Sequence, residues 1–271
     1  MDGLTDSTSA TKDQLTSQTI KVFALFAHPD DAEFLCAGTL ALLADLGAGI
    51  HISTMTAGDC GSTVLPAAEI SRIRRTEAEC AAKLIGAGYS CLEEKDLNIF
   101  YDRRTLGKVM HAVREANPNL VFTHSPVDYM IDHETTSRLC QTACFGAMAP
   151  NFQAGNAAPP LRVVPHLYYV EPFGGRDILG KEIQSTLFVD IGSTLARKEQ
   201  MLGCHESQRA FLSAQQGIAD MGSMTRAMAE HAGKISGFTR AEGFRQHLGQ
   251  GFPQGNLLGK MMGERARSIK V

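Results

Sequence analysis

The feature that most constrains this chain is the apolar run VFALFA at residues 22–27, broken without transition by His28-Pro29-Asp30-Asp31. So short an unbroken run, ended by a turn signal, suits a strand buried on both faces of a parallel sheet. A polar turn directly behind it delivers side chains to the carboxyl rim of the sheet, where open α/β folds bind ligands. His28 and Asp31 each offer a lone pair to a divalent cation, and Asp30 stands between them with no obvious partner. The turn therefore reads as half of a metal site.

The rest of the chain alternates in the same way. Helical spacing over 31–47 leads to a strand at 50–56, a glycine-containing loop at 57–62 and a helix from Pro66 to Ile85. A strand at 97–101, a helix at 103–116, a strand at 119–124 and a helix at about 134–148 follow. Further strands are expected at 162–170 and 186–191, and a helix at 193–215. This predicts an α/β, Rossmann-like, mostly parallel sheet flanked by helices, with the metal site at the C-terminal ends of the strands. Residues 1–19, polar and without periodicity, predict a mobile tail. Residues 20–213 are expected to form the catalytic domain, and the weakly patterned 214–271 a helical extension packed on it. Loops at 57–66, 151–160 and 171–180 are the expected pocket walls. The 57–62 loop lacks the P-loop lysine and the GxGxxG spacing, so it predicts backbone amides lining a pocket rather than a nucleotide site.

The missing half of the metal site lies at the end of the later strand, where LVFT at 120–123 runs into His124, Asp128, Asp132 and His133. His28, Asp31 and His133 make a set of two imidazoles and one carboxylate that leaves positions open for water and substrate. Catalytic zinc sites use this arrangement, and ferrous iron accepts it too. Taken alone, the HPDD turn equally fits a helix start whose carboxylates favour the macrodipole, with His133 a surface histidine. The second strand end weighs against that.

The 271 residues carry a formal net charge of −3, which leaves no electrostatic footprint for nucleic acid and favours a small polar substrate. No apolar run approaches the ~20 residues of a membrane span, and the N-terminal stretch lacks a signal-peptide pattern. Seven cysteines without a CxxC pair predict reduced thiols and a cytoplasmic protein, with Cys36, Cys80, Cys140 and Cys144 as small core residues.

Four motifs together, His28-Pro29-Asp30-Asp31, Arg74-x-x-Glu77, Asp128-x-x-x-Asp132-His133 and His205-x-Ser207-Gln208, resemble the PIG-L/LmbE-like family of metal-dependent N-deacetylases. The resemblance implies His28, Asp31 and His133 as metal ligands and Asp30 as general base. It implies a zinc enzyme, with ferrous iron the other candidate, removing the acetyl group from an N-acetylglucosamine-type small glycoside or glycoconjugate. It also implies a homo-oligomer. Met130 departs from the pattern, since many relatives have there a histidine that steadies the oxyanion and is oriented by the neighbouring aspartate. Arg74, Asp128, Asp132 and His205 are the candidate substrate-binding residues, with His205 a replacement for the missing donor. Arginine on a long helix is also commonly paired with a neighbour such as Glu77, and His205 equally suits a buried structural role. Two other readings stay open: an amidase for a larger acyl or thiol conjugate, and a metal-dependent carbohydrate-binding module without turnover. Asp30, which coordination does not need, argues against the latter.

Overall fold

Alternation along the first strand decides the layering. In β1 (Lys21–Phe26), Val22, Ala24 and Phe26 pack into one core, and Phe23 and Leu25 into another on the opposite face. A strand apolar on both faces must be covered on both faces, and helices do so here. The structure, a computed structural model, describes residues 19–152, 158–216 and 220–270. The remaining strands are β2 (Gly49–Thr56), β3 (Gly88–Glu94), β4 (Leu120–Thr123), β5 (His166–Val170), β6 (Leu187–Asp190), β7 (Ala241–Gln246) and β8 (Ala266–Ser268). They form one sheet in the order β3-β2-β1-β4-β5-β7-β6-β8. Pairing is parallel from β3 to β5 and antiparallel from β5 to β8.

The helices are α1 (Asp31–Leu35), α2 (Ala37–Asp45), α3 (Ala67–Lys83), α4 (Arg103–Ala116), α5 (Ile131–Gly146), α6 (Leu195–Gly203), α7 (Glu206–Gln216), α8 (Met221–Ser236) and α9 (Leu257–Met262). Helices α4 and α5 cover one face through Val109, Met110, Val113, Leu139 and Cys140. The opposite core gathers Leu40 and Leu43 of α2, Met201 and Leu202 of α6, and Leu258 of α9. The α/β, mostly parallel architecture is as the alternation implies.

Several boundaries differ. The helix expected over 31–47 breaks at Cys36, whose φ of −149° is far from helical values. That over 193–215 divides into α6 and α7 around His205. No strand forms at 97–101, where Leu97 has a φ of +64° and both Leu97 and Phe100 are exposed. The strand at that position in the order is β3, an edge strand whose sequence GYSCLEE has little apolar pattern. Residues 220–270 are not a helical extension, because β7 lies between β5 and β6 and β8 pairs with β6. The boundary expected at 213 thus falls inside one continuous sheet. Apart from Thr19, the tail expected over 1–19 lies outside the described residues.

Cys36, Cys140 and Cys144 are buried, as expected of small core residues. Cys80 is exposed, with its Sγ 2.9 Å from that of Cys204. Among the described residues no helix is long and apolar enough to cross a membrane.

Candidate metal centre and active site

The turn after β1 is held from both sides. The Ala27 amide donates to His124 Nε2 at 3.0 Å, from the rim of neighbouring β4, and the His28 amide donates to Asp31 Oδ2 at 2.7 Å. Asp30 has a φ of +102°, a conformation that L residues rarely adopt and that surrounding structure must impose. His133 enters from the first turn of α5, so two strand ends meet at one point. His28 Nδ1 lies 3.4 Å from Asp31 Oδ2, and His133 Nε2 lies 3.5 Å from Asp31 Oδ1. One ligand atom from each of His28, Asp31 and His133 falls within 4.8 Å of the others, and all three residues are buried. Two imidazole nitrogens and a carboxylate at that separation fit a divalent cation.

Behind each imidazole stands a carboxylate. His28 Nε2 is 3.3 Å from Asp132 Oδ2, and His133 Nδ1 is 3.0 Å from Asp128 Oδ1. Such partners fix the ring orientation and the tautomer of a metal-binding histidine. Burial by itself would lower the His28 pKa, but hydrogen bonds to Asp132 and Asp31 override it and raise the value to about 10. Burial opposes ionisation of Asp31 as well, yet His133 and His124 hold its carboxyl well below the usual range. Burial and the neighbouring His133 lower His124 to about 4, and its ring stacks on His133 with centroids 3.8 Å apart. The Asp31 carboxylate thus stands ionised between the His28 and His133 rings, the donor set a cation site requires.

A cavity of about 420 Å³, in the range of small-molecule sites, opens on this cluster. His28, Asp30, Asp31, His133 and Arg74 all line it. Asp30 is pushed up to about 6 by burial, against the pull of Arg74, whose Nη2 lies 3.4 Å from Asp30 Oδ2. Arg74 does not pair with Glu77. It donates instead to the carbonyls of Pro29 at 2.5 Å and Gly58 at 3.4 Å. Glu77 accepts from the amide and hydroxyl of Ser207, at 2.8 and 2.6 Å, fastening α7 to α3. The glycine loop makes room for this arginine, since a Cβ at Gly58 would meet its guanidinium at 2.1 Å. Gly58 and Gly61 turn carbonyls toward Arg74 and Gln208 where backbone amides were expected.

Three of the expected substrate contacts lie elsewhere. Asp128 and Asp132 sit buried behind the histidines, outside the cavity lining. They are spent on His133 and His28, and Asp132 also accepts from the Leu97 amide at 2.7 Å. His205 is buried with its Nε2 3.5 Å from Glu33 Oε2 and does not line the cavity either. Met130 does line it and carries no donor. Of the expected walls, loops 57–66 and 171–180 contribute Cys60, Gly61 and Phe173, whereas the described residues of 151–160 contribute none; residues 153–157 lie outside the description.

The residue that sequence reasoning missed is Asp96. It lines the cavity, its Oδ2 accepts from the Cys60 amide at 2.9 Å, and its buried Oδ1 has no hydrogen-bond partner. Placing the third strand at 88–94 would have put Asp96 at the same rim. The aromatic wall of Phe34, Tyr129 and Phe173 was likewise unmarked by any motif.

Residues 23–144 match the family described as PIG-L, GlcNAc-PI de-N-acetylase. The chain is similar to a 4-oxalmesaconate hydratase of Pseudomonas putida, at 28% identity over 193 residues, covering 67% of this chain and 71% of the relative. It is similar to a mycothiol S-conjugate amidase of Streptomyces coelicolor, at 22% identity over 57% of this chain and 61% of the relative. In structure it resembles the N,N'-diacetylchitobiose deacetylase of Pyrococcus horikoshii, with a TM-score of 0.72, 25% identity and coverage of 84% and 83% of the two chains. Motifs, strand-end geometry and family match agree: over residues 23–144 this chain is similar to the PIG-L family, and its fold is similar to that of a deacetylase.

Proposed function

We propose that this protein is a zinc-dependent amide hydrolase that removes the acyl group from an N-acylated amino sugar, N-acetylglucosamine-type compounds being the parent class. The observation that carries the reading is Asp30, a buried carboxylate that lines the cavity beside the His28, Asp31 and His133 cluster without belonging to it. His28, Asp31 and His133 would hold the cation, zinc or else ferrous iron. When bound, that cation supplies polarisation of the amide carbonyl and acidification of water. Asp30 takes the proton from the attacking water and returns it to the departing amine. Arg74 steadies the Asp30 carboxylate, and its bonds to Pro29 and Gly58 keep the turn and the glycine loop in register. Asp96 offers its unpartnered oxygen to a hydroxyl or N–H of the substrate.

A second reading, hydration of a carbon–carbon double bond, has the similar hydratase and the missing donor at Met130 behind it. The lining favours the amide, because Asp30, Asp31 and Asp96 together offset the charge of the cation and Arg74, and a neutral substrate suits that balance better than an anionic one. The deciding measurement is free-amine release from N-acetylglucosaminides by chelator-stripped and zinc-restored protein. Stripping should reduce release to background and zinc should restore it. Full activity after stripping, or no amine from any loaded form, would reject the reading.

We also propose a homo-oligomer, for which exposed Phe100, Tyr101 and Ile131 provide apolar surface. Size-exclusion chromatography with light scattering should give a mass above that of one chain, and a monomer would sink the idea.

A further inference from the structure

Resting on the hydrolase reading above, we propose that the acyl group accepted here is larger than acetyl, a medium aliphatic or aromatic chain seated along Phe34, Tyr129 and Phe173. These three rings form a continuous wall that begins beside a candidate ligand, from half-exposed Tyr129 to buried Phe34. Tyr129 stands edge-on to His133 with centroids 5.3 Å apart, Phe173 follows at 6.3 Å from Tyr129, and Phe34 meets Phe173 edge-on at 5.5 Å. Phe211 and Leu212 extend the apolar lining.

The polar lining gathers around Arg74, which together with Gln208 engages the glycine loop, while Asp30 sits 3.4 Å from the guanidinium. That asymmetry orients an amide. Hydrolysis breaks the C–N bond, leaves the oxygen of water on the acyl carbon as a carboxylate, and transfers a proton through Asp30 to the amine. The amine end therefore occupies the Asp30 and Arg74 edge, and the acyl end faces His133 and the rings. An acetyl methyl would leave the exposed edges of Tyr129 and Phe173 in water, whereas a longer chain covers them. Each added methylene that leaves water strengthens binding about three- to fourfold.

The test is a series of N-acetyl-, N-butanoyl-, N-hexanoyl- and N-benzoylglucosamine with the zinc-loaded protein. The specificity constant kcat/KM should rise about three- to fourfold per methylene, reaching on the order of a hundredfold for hexanoyl over acetyl. In Phe173→Ala the hexanoyl-to-acetyl ratio should collapse below about tenfold. A flat series, or one led by acetyl, overturns the proposal. If no member is hydrolysed, calorimetric binding of the same compounds decides separately. Affinity that tightens with each methylene keeps the wall as the acyl subsite while the hydrolase reading falls, and uniform affinity rejects the wall itself.

Discussion

Asp30→Asn is expected to bind zinc as the parent protein does and to release amine about 10²–10⁴-fold more slowly, the range lost when a positioned general base is removed. Asparagine is the informative substitution. Asp30 has a φ of +102°, and asparagine tolerates left-handed backbone that alanine resists, so the variant removes the base without springing the turn. The carboxylate does not belong to the three-residue cluster, and its nearest charged partner is Arg74 at 3.4 Å. His133→Ala supplies the contrast, since it removes a cluster nitrogen and should lose zinc and activity together. Zinc stoichiometry by atomic absorption, with steady-state amine release, separates the two outcomes. Undiminished turnover in Asp30→Asn would remove Asp30 from the chemistry.

The largest stability effect is expected at Glu242→Ala, a loss of about 3–5 kcal/mol from breaking a buried ion pair on one side only. Glu242 lies on β7, 4% exposed, and Lys198 of α6 donates to its Oε1 at 2.7 Å from a site 2% exposed. The same carboxylate accepts from the Gly38 and Thr39 amides at 3.0 and 2.7 Å, capping the start of α2 from across the core. Alanine would strand a buried ammonium and two helix amides at once. Denaturant unfolding should show the loss, and Glu242→Leu combined with Lys198→Met should recover a good part of it, because the stranded charge is gone. A single variant within about 1 kcal/mol of the parent would mean that Lys198 finds water on relaxation. The cap also bears on function, as α2 follows α1 and the Asp30 turn directly.

The strand-and-turn halves of the site were legible because each is local: VFALFA into HPDD, and LVFT into a loop dense in acids and histidines, carry their burial and their chemistry within a dozen residues. The parallel α/β class followed from the same alternation. The C-terminal strands were not legible, because β7 reads AEGFRQ and its inward glutamate is satisfied only by Lys198 and the α2 amides, more than forty residues away in sequence. Nor were the roles of Asp128 and Asp132, which any sequence reading leaves free to face a substrate. The folded chain turns them onto His133 and His28. Sequence alone thus determined which side chains could bind a cation and on what kind of sheet. Only the tertiary structure decided which carboxylates face the cavity and which stand behind the histidines, because that depends on how loops from separate strands pack at one rim, where a shift of a few ångströms exchanges a substrate contact for a buried hydrogen bond.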